Sequence, residues 1–167
     1  MKHVMSILAA FAIFGVVSCG GKEEKKEEKV TLRTQTTEKV ETTSSAVSDV
    51  KPSERVDMST KGIGPIKSLT LDETINQEMA AKGKEVYNVN CLACHKPDRR
   101  FIGPAPKGIL ERRTPEWIMN MILNPEEMVQ KDPLAKELLM EFNGSPMANQ
   151  NLTEEEARQI LEYFRTL

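Results

Sequence analysis

Cys91-Leu92-Ala93-Cys94-His95 holds two of the chain's three cysteines and one of its two histidines. The others, Cys19 and His3, fall within the first 19 residues. Two thiols three positions apart with an imidazole beside the second read as a c-type haem attachment site. The thiols can form thioether bonds to two vinyl groups on one porphyrin edge, and the histidine can reach the iron from one side. Three other chemistries use similar residues. A zinc site needs about four ligands, and no second Cys/His cluster exists. A thioredoxin-like redox pair belongs among alternating strands and helices. A CxxC disulfide closes almost no loop and stabilises little.

Outward from this motif, the apolar spacing is helical and no strand pattern competes. Upstream, Thr70-Leu71-Asp72-Glu73 has capping-box spacing, followed by Ile75, Met79, Gly83, Val86 and Tyr87 on one face. Downstream, Thr114-Pro115 announces a second helix through Trp117, Ile118, Met121 and Ile122, ended by Asn124-Pro125. Asp132-Pro133 opens a third, stopping at Asn143-Gly144. The last starts at Thr153, with Glu156 completing a capping box and Ala157, Ile160, Leu161 and Phe164 on its apolar face. The expectation is an all-α domain over 70–167. A core of this size is marginal unless a buried cofactor fills its centre.

A haem iron held by His95 needs a sixth ligand or a vacancy. With no other histidine in the body of the chain, methionine is the natural donor. Met147 follows Pro146 in an irregular segment, where a side chain can be aimed at a metal. Met119, Met121, Met128 and Met140 lie on or near helices, where methionine is more often core filler. Met147 is therefore the expected ligand and Met140 its main rival.

Residues 76–167 resemble the class I c-type cytochromes. Cys91-Leu92-Ala93-Cys94-His95 carries that resemblance, with Gly83 and Tyr87 facing Tyr163 or Phe164, Gly103-Pro104, and Pro146-Met147 ahead of the last helix. The resemblance implies short helices and loops around one covalent haem c, with the first and last helices crossed. It implies that Cys91 and Cys94 hold the haem and that the Pro104 carbonyl accepts a hydrogen bond from His95. It also implies that His95 and Met147 are the axial ligands, and that Trp117 packs on the haem or bonds a propionate. Ala148-Asn149-Gln150 departs from the pattern, which often has a proline there. A haem with both axial positions filled favours single-electron transfer over catalysis, and a thioether ligand raises its potential above that of bis-histidine haem. The rival reading is a haem that binds a small ligand or peroxide after Met147 lets go.

Residues 1–18 read as a signal peptide, with Lys2 and an apolar run from Val4 to Val17 that is short for a membrane span. Val16-Val17-Ser18-Cys19-Gly20 resembles a bacterial lipobox, which implies that Cys19 is lipidated and anchors the chain to a membrane of the cell envelope, facing the periplasm. Residues 19–69 read as a disordered tether. Lys22–Lys29 is wholly charged, Thr31–Ser48 is rich in Thr and Ser, and Pro52, Gly62, Gly64 and Pro65 follow. This layout also resembles small cytochromes associated with nitrous-oxide respiration. The expected partners are a redox protein donor and acceptor, a terminal reductase or oxidase among them. A net charge of -2 argues against nucleic acid. From Lys82 to Arg113, eight basic residues face three acidic ones, so this stretch is expected to steer an acidic partner.

Overall fold

The computed structural model describes residues 50–167. The expected signal peptide, Cys19 and the charged and Thr/Ser-rich parts of the tether up to residue 49 lie outside the described residues. The described part is all-helical: α1 (Gln77–Asn90), α2 (Pro115–Leu123), α3 (Pro125–Lys131), α4 (Pro133–Glu141) and α5 (Glu154–Phe164), with a 3-10 turn at Ile109–Glu111.

Most helix starts are local chemistry. The Thr114 side chain accepts from the Trp117 amide, and the Asp132 side chain accepts from the Ala135 amide. Thr153 and Glu156 form the expected reciprocal box. Each such cap is worth about 1 kcal/mol. Asn124-Pro125 both ends α2 and opens α3, a helix the apolar spacing did not announce. Proline suits that first position because its missing N–H would be unsatisfied there. The expected start near Thr70 is corrected: α1 begins at Gln77, and Asn76 accepts from the Met79 amide. Arg165 reaches back from the end of α5 to the carbonyls of Asp72 (2.7 Å) and Glu73 (3.3 Å), holding this segment outside the helix. α4 stops at Glu141, and Asn143 (φ 59°) and Gly144 (φ 70°) take left-handed backbone just beyond it.

α1 and α5 cross in direct backbone contact. A Cβ on Gly83 would lie 1.9 Å from the Gln159 carbonyl oxygen. Around the crossing, Tyr87 packs on Tyr163 (centroids 5.3 Å) and edge-on to Phe164 (5.7 Å). Next to it the buried Glu162 carboxylate sits between Arg158 (2.5 Å) and Arg165 (2.9 Å). Burial alone would raise its pKa, but hydrogen bonds and charge from the two guanidiniums hold it below the ordinary value of 4.5. A depressed carboxyl stabilises the fold above its unfolded pKa, and that contribution is lost as pH falls through the folded-state pKa. Glu162→Gln is thus expected to cost about 3 kcal/mol near neutral pH, with the gap to the parent closing in acid. Denaturant midpoints across that range check this; a gap that stays constant with pH would contradict it.

Residues 50–69 correct the tether's boundary. They form an ordered strap on the helical domain. The buried Arg113 guanidinium donates to the carbonyls of Pro52 (2.5 Å) and Arg55. Thr114 donates to Thr60 O (2.6 Å). Asn120, fully buried, donates to Lys61 O and Ile66 O and accepts from the Ile66 amide, all at 2.9 Å. Gly62 and Gly64, which read as breakers, are close-approach positions: a Cβ on Gly64 would meet Asn120 Oδ1 at 2.3 Å. The strap is held because Arg113, Thr114 and side chains of α2 satisfy its backbone, and because Ile63, Ile66 and Leu69 pack against the core.

Candidate functional site

The end of α1 builds the first part of the site. Cys91 caps the helix, its amide bonded to Tyr87 O (2.8 Å), and the amides of Cys94 (3.0 Å) and His95 (2.9 Å) turn back to Cys91 O. The motif is thus wound into one tight turn. Cys91 is buried and Cys94 exposed, both as free thiols. Burial, then the neighbouring Cys94, pushes the Cys91 thiol up to about 11.

His95 is fixed from both ends. The Tyr87 hydroxyl donates to its backbone carbonyl (2.8 Å), and its ring Nδ1 lies 2.8 Å from Pro104 O. A carbonyl can only accept, so Nδ1 is the protonated nitrogen, and in the neutral ring Nε2 then keeps the lone pair a metal needs. Gly103 makes this approach possible: a Cβ there would stand 2.3 Å from His95 Cε1 and 2.7 Å from Nδ1.

Cys91, Cys94, His95, Pro104, Trp117 and Met147 all line one cavity. Its remaining walls include the apolar Ile118, Ile122, Leu138, Phe142 and Ile160. Met140, the rival ligand, is 71% exposed and does not line it. Met121 does, from α2. Met119 and Met128 are core residues, as expected of helical methionines.

These residues fit a haem. The cavity is largely apolar, with Arg112 and Arg113 among its few charged walls. Trp117 Nε1 is buried with no hydrogen-bond partner, and the Arg113 guanidinium lies 5.4 Å from the Trp117 ring centroid. An orphaned indole donor beside the buried Arg113 suits an anionic substituent of an otherwise apolar ring. Among the described residues no group of three or more His, Cys, Asp or Glu could hold a metal ion without such a ring.

Three features lay outside the sequence reading. Arg113 pins the strap, the Tyr87 hydroxyl holds the motif's backbone, and Ser53 of the strap reaches the cavity wall. Nothing in local spacing marks contacts between such distant segments. The basic stretch is less free than its composition suggests. Lys82 pairs with Glu78, Arg99 with Asp98 and Arg100 with Glu141, while Arg112 and Arg113 serve backbone carbonyls.

The cytochrome c family model matches residues 80–167. A cytochrome c from Rhodothermus marinus is 46% identical, with TM-score 0.60 over 62% of this chain and 88% of its own. An engineered form of that cytochrome is 45% identical, with TM-score 0.59 over 62% and 89%. Another engineered structure, bound to a carbene intermediate, is 45% identical, with TM-score 0.57 over 62% and 88%. No curated protein matches the chain. The chain belongs to the cytochrome c family, and its cofactor is one covalently bound haem c, for which Cys91 and Cys94 fit the attachment motif.

Proposed function

We propose that this cytochrome is a single-electron carrier between respiratory redox partners of the cell envelope, with His95 and Met147 as axial ligands and Cys19 as its lipid anchor. The haem supplies a one-electron couple between ferric and ferrous iron. Cys91 and Cys94 retain it covalently, which suits a protein exported away from any haem supply. His95 offers Nε2 because its Nδ1–H donates to Pro104 O, and this single 2.8 Å contact carries the reading. An imidazole oriented in this way is a stronger and better-aimed ligand. Met147 lies on the same cavity, partly buried against the core. Apolar walls exclude water, which limits solvent rearrangement when the charge changes. Lys84 and Lys107 make no ion pair among the described residues and are left to meet an acidic partner, a terminal reductase or oxidase.

The test is an optical redox spectrum of the matured protein after denaturing extraction of loose haem. A retained c-type spectrum with the weak far-red iron–methionine band is expected when the protein is oxidised. Met147→Ala should abolish the band and Met121→Leu should keep it. The reverse pattern would move the ligand to Met121, and no retained haem would overturn the reading. Ready binding of carbon monoxide by the reduced parent protein would favour the second reading, a ligand-binding or peroxide-reactive haem. The carbene-bound engineered relative gives that reading its interest.

A further inference from the structure

The segment that carries Met147 is weakly tethered. Between Pro146 and Asn151 its hydrogen bonds are internal, Gln150 to Ala148 and the Asn151 amide to Asn149. The segment is therefore set by its two ends and by Met147 itself. Its far end is the Thr153–Glu156 box of α5. Its near end is Glu141-Phe142, and there three separate parts of the chain meet.

The Glu141 carboxylate, 10% exposed, accepts from the Ser53 amide (2.8 Å), the Ser53 hydroxyl (2.7 Å) and Arg100 (2.9 Å). Arg100 also donates to Glu141 O (2.6 Å), and its guanidinium lies 4.0 Å from the Phe142 ring centroid. Phe142 is buried and lines the cavity, as does Ser53. Arg100 belongs to the loop that leads from His95 to Pro104. One carboxylate therefore joins the His95 loop, the N-terminal strap and the root of the Met147 loop.

We propose that Glu141 is a positioning residue for axial ligation and that the strap, through Ser53, keeps the Met147 loop closed. The inference rests on Met147 being the ligand. Charge-assisted hydrogen bonds are stronger than neutral ones, and losing one is enough to shift an open–closed equilibrium about tenfold. Arg100 still donates to Glu141 O, and the turn at Asn143–Ser145 keeps its backbone bonds, so the variants loosen the loop without unfolding its root.

The test uses the full-length haem-loaded protein and four variants: Glu141→Gln, Ser53→Ala, Met147→Ala and Asn76→Ala. Asn76→Ala removes the α1 cap and serves as a stability control distant in sequence from the clamp. Carbon monoxide binding to the reduced protein is followed by stopped flow, and amide hydrogen exchange is followed over residues 143–150. Glu141→Gln and Ser53→Ala are expected to keep the far-red band at neutral pH, bind carbon monoxide about tenfold faster than the parent, and exchange faster in the loop. Asn76→Ala should match the parent in both readouts. If the parent shows the band, and Met147→Ala loses it, but the two clamp variants behave like Asn76→Ala, the clamp is overturned while Met147 stands. If the parent itself lacks the band, the axial assignment fails and the clamp with it.

Discussion

Gly83→Ala is expected to lower the thermal midpoint of the haem-loaded protein by about 10 °C, although alanine is the better helix former. Two effects oppose each other. Alanine gains roughly 1 kcal/mol of helix propensity over glycine in the interior of α1. Against this, its Cβ would lie 1.9 Å from Gln159 O, 2.3 Å from Gln159 C and 2.7 Å from Ile160 N. All three are backbone atoms of α5, so no side-chain rotation relieves the clash and the helices must separate. Separation loosens the Tyr87 contacts to Tyr163 and Phe164, each worth about 1 kcal/mol beyond burial. Overpacking of this kind costs about 3 kcal/mol or more when the surroundings cannot yield. Sterics therefore outweigh propensity. A calorimetric midpoint equal to or above the parent's would show that the crossing is looser than these distances.

Gly103→Ala should act on the cofactor more than on the fold. Gly103 has no left-handed backbone, so space alone decides. The new Cβ would fall 2.3 Å from His95 Cε1 and 2.7 Å from Nδ1, within the room the ring needs to reach Pro104 O. Covalent attachment through Cys91 and Cys94 prevents the ring from retreating with its loop. The His95–Pro104 bond is expected to break. Loss of such an outer partner weakens a metal ligand by about 10- to 100-fold. Acid titration of the ferric protein gives the readout, because a weaker imidazole ligand is displaced by protonation at higher pH. The low-spin spectrum should collapse about one pH unit or more above the parent's midpoint. An unchanged midpoint would mean that Pro104 does not tune His95.

Both predictions concern glycines that the sequence placed correctly. Gly83 and Tyr87 sit one turn apart on one helical face, and Gly103-Pro104 follows the motif at a distance a short loop can span. Their roles were legible through the resemblance to the class I c-type cytochromes, since the contact of Gly83 with Gln159 joins two distant helices. Spacing alone marked the caps at Thr114, Asp132 and Thr153, where a polar side chain and the proline or glutamate after it carry the whole instruction.

The misreadings share one cause. Thr70-Leu71-Asp72-Glu73 has the pattern of a helix start, but Arg165, more than ninety positions away, claims the carbonyls of that segment. The strap over residues 50–69 has the composition of a tether, but Arg113, Thr114 and Asn120 hydrogen-bond its backbone from outside, and Ile63, Ile66 and Leu69 pack on the core. Met140 ranked above Met121 as a rival ligand until the fold turned Met140 to solvent and Met121 to the cavity.

By itself, then, the sequence determined the helical class, most helix starts and the haem motif, because each is written in residues a few positions apart. The tertiary structure alone decided which methionines reach the cavity, that the strap packs on the helices, and that Glu141 ties it to two loops that line the cavity. Those outcomes depend on side chains that satisfy backbone groups dozens of residues away, and local spacing does not encode such pairings.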